Sequence, residues 1–268
     1  RVRARLPRTP VDHAAEDAVV EDDEKVHYLR VLDQTLKVLV ADREMRYETH
    51  FLKNALTRES RNPGDPKRID AQVFVQSYDP EVPQPATRGL PALKAFPSTR
   101  AEIFAYDVIV LGDVNWRRLG PTEERSKEIL RILQDFVAEG GGLALVAGEV
   151  SNPSQYLETP LADLLPVVVR PGDRGDELQK TRPFRVTPTE VGAVHPILSV
   201  LQTDPERVVS TWREREGWEW YWLYRARGGL KPGARALATV WNAPGREFND
   251  ERNEPYPVFS EMGYGKGR

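Results

Sequence analysis

The chain has 268 residues, 40% hydrophobic and 29% charged, with a formal net charge of −3 and no cysteine. This is the balance of one large α/β domain or one domain with an appendage. It excludes disulfides, thiolate zinc sites and a cysteine nucleophile, and the absence of a basic stripe excludes a nucleic-acid binder. No apolar run approaches the roughly 20 residues that span a bilayer.

Residues 1–24 have the composition of a linker, with Pro7, Pro10 and an acidic run over 21–24. Residues 25–33, KVHYLRVLD, alternate apolar and polar side chains and read as the last strand of a preceding β domain or an added edge strand. Residues 1–35 are therefore set apart from a main domain over 36–268. There, 36–41 (LKVLVA) is a short apolar run that predicts a buried parallel strand. A helix follows over 44–58, with Tyr47, Phe51, Leu52, Ala55 and Leu56 as its apolar face. A second strand is expected at 70–76. The five prolines of 79–97 predict a long loop over the sheet's edge. Residues 99–106 predict a short helix capped by Thr99, and 107–111 (DVIVL) a third strand ended by Gly112 and Asp113.

The clearest helix spans 122–139, with Ile129, Leu130, Ile132, Leu133, Phe136 and Val137 as its stripe and Gly140 as its stop. Residues 143–147 predict the fourth strand, and 154–165 a helix broken at Pro160. Strands alternating with helices imply a mainly parallel sheet wrapped by helices. After Pro166 the segments shorten. Strand candidates at 167–170, 184–187, 218–224, 235–241 and 258–262 imply late antiparallel additions.

The stretches LKVLVADREMRYETHFLKNAL, FPSTRAEIFAYDVIVLGDV, LQDFVAEGGGLALVAGE, TPLADLLPV and the closing GYGKGR resemble the class I glutamine amidotransferase-like domain. In bacteria it is often found in large membrane-anchored proteins near a von Willebrand factor A domain. The resemblance covers about 36–268 and implies a flavodoxin-like α/β fold. It also implies a bacterial envelope location, with anchoring through segments outside this chain, and a further C-terminal strand beyond the GYGKGR turn. True class I amidotransferases place a Cys on the elbow after the strand matching 143–147, and a His–acid pair later. Here the elbow reads Gly148-Glu149-Val150-Ser151, so a thioester route to glutamine hydrolysis is not expected.

Three readings of function follow. The first is a non-catalytic binding or scaffolding domain, with other domains of the same chain, envelope proteins or a small ligand at the sheet edge as partners. Its expected ligand-binding residues are Asp42, Gly112, Asp113, Gly148 and Glu149. Gly112 and Asp113 match the place where active amidotransferases supply oxyanion-hole amides. No cofactor is expected. Three carboxylates on one edge (Asp42, Asp113, Glu149) suggest a cation only if they meet at one point, and no metal is assigned. The second reading is a serine hydrolase or amidase using Ser151 as nucleophile and His195 as base, with Glu149 beside them. Against it, Ser151 stands in Ser-Asn-Pro, which suits a turn or cap, and His195 stands in His-Pro-Ile, which suits a helix start. The third is a carbohydrate-binding module stacking sugars on Trp218, Trp220 and Trp222, which share one face if 218–224 is a strand; a packed core face explains the same row.

Overall fold

A computed structural model describes residues 2–5, 24–27, 35–57, 69–173, 175–177, 186–201, 203–214, 222–240 and 255–268. The chain divides into two compact units, Arg1–Thr35 and Leu36–Arg268. In the first, β1 (Val2–Arg5) pairs antiparallel with β2 (Glu24–His27).

The second unit is built on four parallel strands: β3 (Leu36–Asp42), β4 (Ile69–Val75), β5 (Val108–Leu111) and β6 (Gly142–Leu145). Their spatial order is β4-β3-β5-β6. The chain runs outward one way from β3 to β4 and the other way from β5 to β6, so the sheet switches direction between β3 and β5. In open α/β sheets that point opens a crevice at the strands' C-terminal ends. This is the flavodoxin-like arrangement the resemblance implies.

Both faces of the sheet are covered. On one, Leu39, Ile109 and Leu111 pack against α3 (Glu123–Ala138) through Ile129, Leu130 and Leu133. The predicted stripe of this helix is the one it buries. Thr122 caps it by accepting from Arg125 N, and Gly140, at φ 124°, closes its C-terminal end where L side chains are strained. On the other face, Val38, Val40, Ala71, Val73 and Val75 pack against Leu52 and Leu56 of α1 (Tyr47–Thr57).

The helix α1 departs from its expected face. Tyr47 and Phe51 are 82% and 66% exposed, and Thr49 is buried instead. The cause is a polar contact: Thr49 must face the sheet to donate to Asp42, which rotates the stripe to Thr49, Leu52 and Leu56. Periodicity counts apolar residues and misses a buried hydroxyl.

The proline-rich loop lies along the β4 edge as expected. Val73 N donates to Pro85 O and Thr87 N to Ala71 O, which covers an open edge. The next helix, α2 (Arg100–Ile103), is shorter than predicted. It carries a capping box, with Thr99 Oγ1 accepting from Glu102 N and the Glu102 carboxylate accepting from the Ser98 and Thr99 amides. Those amides, Ser98 first, lower the Glu102 pKa from its usual 4.5. A lowered carboxylate contributes stability above its unfolded pKa and loses it as pH falls through the folded one. Wild-type stability minus that of Glu102→Gln is therefore expected to be largest at neutral pH and to shrink below about pH 4.5, as denaturant titrations at each pH would measure. A difference that does not change with pH would refute the cap's electrostatic part.

After the elbow, the expected helix at 154–165 resolves into two single turns, Ser154–Tyr156 and Pro160–Leu164. Pro160 lacks the N–H that would continue the first into the second. The late antiparallel strands are present. A sheet of order β11-β10-β8 joins β8 (Thr187–Pro188), β10 (Ala234–Val240) and β11 (Tyr256–Met262). A separate pair joins β7 (Gly175–Glu177) and β9 (Trp222–Tyr224). The candidate at 167–170 reduces to a single bridge between Val167 and Leu230. Against β10 rest α4 (Glu190–Ala193) and, through Trp212, α5 (Pro205–Glu214). A side chain at Gly192 would meet Leu237 O at 1.7 Å, so glycine is required where α4 crosses β10. The closing Gly-Tyr-Gly-Lys-Gly-Arg turn folds back on α3, with Lys266 N donating to Ala138 O. Arg268 then lies beside β6, its carbonyl accepting from Leu143 N.

Candidate functional site

The crevice between β3 and β5 is where this topology places ligands, and here two carboxylates fill it. The ladder between the strands ends with Gly112 N donating to Ala41 O at 2.8 Å. One step further the Asp42 side chain replaces the backbone: Asp113 N donates to Asp42 Oδ1 at 2.9 Å. Asp42 Oδ1 also accepts from Arg43 N, and Oδ2 accepts from Arg46 Nε at 3.0 Å and from the Thr49 hydroxyl. Asp42 is fully buried, and its charge is met by two amides, a hydroxyl and a guanidinium. Arg46 Nη1 reaches across to Ala147 O, so this one side chain ties the ends of β3 and β6.

Asp113 performs the same task for the elbow. Its Oδ1 accepts from Ser151 N at 2.6 Å and Asn152 N at 2.9 Å, and its Oδ2 from Val150 N at 3.0 Å. Arg43 Nε lies 3.8 Å from Oδ2 and adds positive charge. Three consecutive amides turned toward one carboxylate form an anion-binding nest. The approach is close enough that a Cβ on Gly148 would lie 2.2 Å from Asp113 Cγ. On the neighbouring strand a Cβ on Gly112 would lie 2.4 Å from Asp42 Oδ2. Both glycines, expected to bind a ligand, are places where backbone meets carboxylate.

The Asn152 side chain closes the arrangement by donating to the carbonyls of Gly112 and Val146 at 3.0 Å and Leu111 at 3.3 Å. It stitches the ends of β5 and β6. Tyr156, fully buried beneath, donates to Val114 O, and its pKa is raised first by burial and then by the charges of Asp113 and Asp42. Ser154 and Tyr224 share a hydrogen bond of 2.9 Å that ties the elbow to β9. Sequence reasoning missed Arg46, Thr49 and Asn152. A threonine seven residues after a strand-end aspartate carries no signal until the helix is docked.

The remaining candidates are scattered. Ser151 is 1% exposed and its Oγ has no hydrogen-bond partner. His195 is not a helix start: Thr189 caps α4, and His195 follows the helix, its amide donating to Gly192 O. Its Nδ1 accepts from Ile197 N, and its Nε2 lies 3.5 Å from Glu261 Oε2. Glu261 also takes Arg268 at 3.0 Å and Arg235. Both ring nitrogens thus face groups other than Ser151. Glu149 is exposed, while Asp42 and Asp113 point into their own hydrogen bonds. Among the described residues no group of three or more His, Cys, Asp or Glu could hold a metal ion. Trp218 and Trp220 lie outside the described residues, and Trp222 opens β9.

The fold and part of the sequence are similar to known proteins. A cytoplasmic protein from Salmonella typhimurium has a solved structure that superposes with a TM-score of 0.54 over 86% of this chain and 84% of its own, at 18% identity. That likeness concerns the fold. No curated protein matches the sequence. The sequence family described as "Putative glutamine amidotransferase" matches residues 86–213, the stretch that carries β5, α3, β6 and the elbow.

Proposed function

We propose that the domain is a non-catalytic, amidotransferase-like binding or scaffolding module of a larger bacterial envelope protein. One observation carries this reading: the Asp113 amide, which matches an oxyanion-hole donor, donates to the buried Asp42 carboxylate, and the elbow amides of Val150, Ser151 and Asn152 donate to the chain's own Asp113. An oxyanion hole works only with donors aimed at the developing charge and a nucleophile beside them. The buried Ser151 hydroxyl and the engagement of His195 with Ile197 N and Glu261 support it. The binding role draws on exposed apolar side chains between β8 and α5. Val194, Ile197, Val200 and Leu201 are 50–73% exposed within eight residues. Clustered exposed apolar groups of this kind mark interaction surfaces. Among the described residues no helix is long and apolar enough to cross a membrane, so the envelope setting rests on the resemblance and on membrane attachment elsewhere.

The test is chemical. Purified protein incubated with glutamine is expected to release no ammonia above a buffer control, and a fluorophosphonate probe is expected to leave it unlabelled. Labelling of the wild type that disappears in Ser151→Ala would overturn the reading in favour of a serine hydrolase.

A further inference from the structure

The Asp113 carboxylate does more than stabilise a turn. It stands where an anionic ligand would: three successive amides, Val150, Ser151 and Asn152, point at its two oxygens at 2.6–3.0 Å, with Arg43 Nε at 3.8 Å behind. The Ser151 and Asn152 ends of the nest are 1% exposed, so water does not compete for those amides. Gly148 closes one wall against Cγ. The cage is thus shaped to a carboxylate, and only one covalent bond, Cα–Cβ of Asp113, makes the occupant part of the chain.

We propose that the elbow is a carboxylate-binding site whose resident ligand is the Asp113 side chain, and that it takes a small free carboxylate when that side chain is removed. Size sets which one. Asp113→Ala keeps Cβ and vacates the space of a carboxylate, which formate fills. Asp113→Gly vacates Cβ as well, which acetate fills. In the alanine variant the retained Cβ stands where the methyl of acetate would lie, so acetate is excluded there. By the ceiling on binding energy per heavy atom, formate binds no more tightly than about 0.5 mM and acetate no more tightly than about 0.04 mM. The inference concerns only what holds the Asp113 carboxylate and is separable from the proposed reading. Turnover by the wild type would overturn that reading and leave this one standing, whereas variants indifferent to carboxylates would do the reverse.

The experiment follows the thermal midpoint of wild type, Asp113→Ala, Asp113→Gly and a carboxylate-independent control, Leu133→Ala. Each is titrated with sodium formate, sodium acetate or sodium chloride at equal ionic strength. The expected result is a saturable rise for Asp113→Ala with formate but not acetate, and for Asp113→Gly with acetate. Wild type and Leu133→Ala should respond to all three salts alike. In ¹⁵N spectra the Ser151 and Asn152 amides of the responding variant should shift with the same midpoint. Equal responses to chloride and carboxylates, or an equal rise in wild type, would overturn the proposal. So would failure of both variants to fold when refolded in either carboxylate.

Discussion

Replacing Gly148 by alanine is expected to destabilise the domain by about 3 kcal/mol or more, as steric overpacking combines with loss of buried hydrogen bonds. The new Cβ would stand 2.2 Å from Asp113 Cγ. It cannot be relieved by a rotamer change, because that carboxylate is held by three elbow amides and displacing it leaves those amides unpaired. For a domain of this size the loss corresponds to a fall in melting temperature of roughly 6–12 °C. Gly89→Ala is the comparison. Its φ of 91° strains an alanine, but nothing lies within 4 Å, so only the backbone term of about 1 kcal/mol applies. Urea titrations of both variants measure the difference. If Gly148→Ala is no worse than Gly89→Ala, the close packing of elbow on carboxylate is wrong.

Asp42→Ala is expected to cost about 3–5 kcal/mol, the range for removing one partner of a buried ion pair. It leaves the Arg46 guanidinium without its carboxylate, with Nη2 already unpartnered, and strips acceptors from the Asp113 amide and the Thr49 hydroxyl. Asp42→Asn keeps one oxygen and should cost less, while Glu149→Ala, at an exposed position of the elbow after β6, should fall within about 0.5 kcal/mol of wild type. Denaturant unfolding gives all three values. An Asp42→Ala variant as stable as Glu149→Ala would show that the carboxylate does not join the strand ends.

These two aspartates mark how far the sequence could be read. Their positions at the ends of β3 and β5 were legible, because a polar residue closing an apolar run of four to six residues ends a strand. Their role was not. From the sequence, Asp42 and Asp113 are acidic side chains at the edge where α/β folds bind ligands. Only the register of β3 against β5 brings the Asp113 amide onto Asp42, and only the return of the chain after β6 brings three amides onto Asp113. The pairing of Ser151 with His195 shows the same gap from the other side. Each residue type suited a hydrolase, yet one is buried beside the parallel sheet and the other faces Glu261 of β11.

The sequence by itself determined the sheet class, the α3 stripe, the covering loop on β4 and the late antiparallel strands. Each depends on periodicity or on proline and glycine, which act within a few residues. Tertiary structure alone decided the rotation of α1 and the partners of every charged group at the strand ends. Buried polar atoms must find partners wherever the chain places them, across 71 residues for Asp42 and Asp113, and no local pattern records that search.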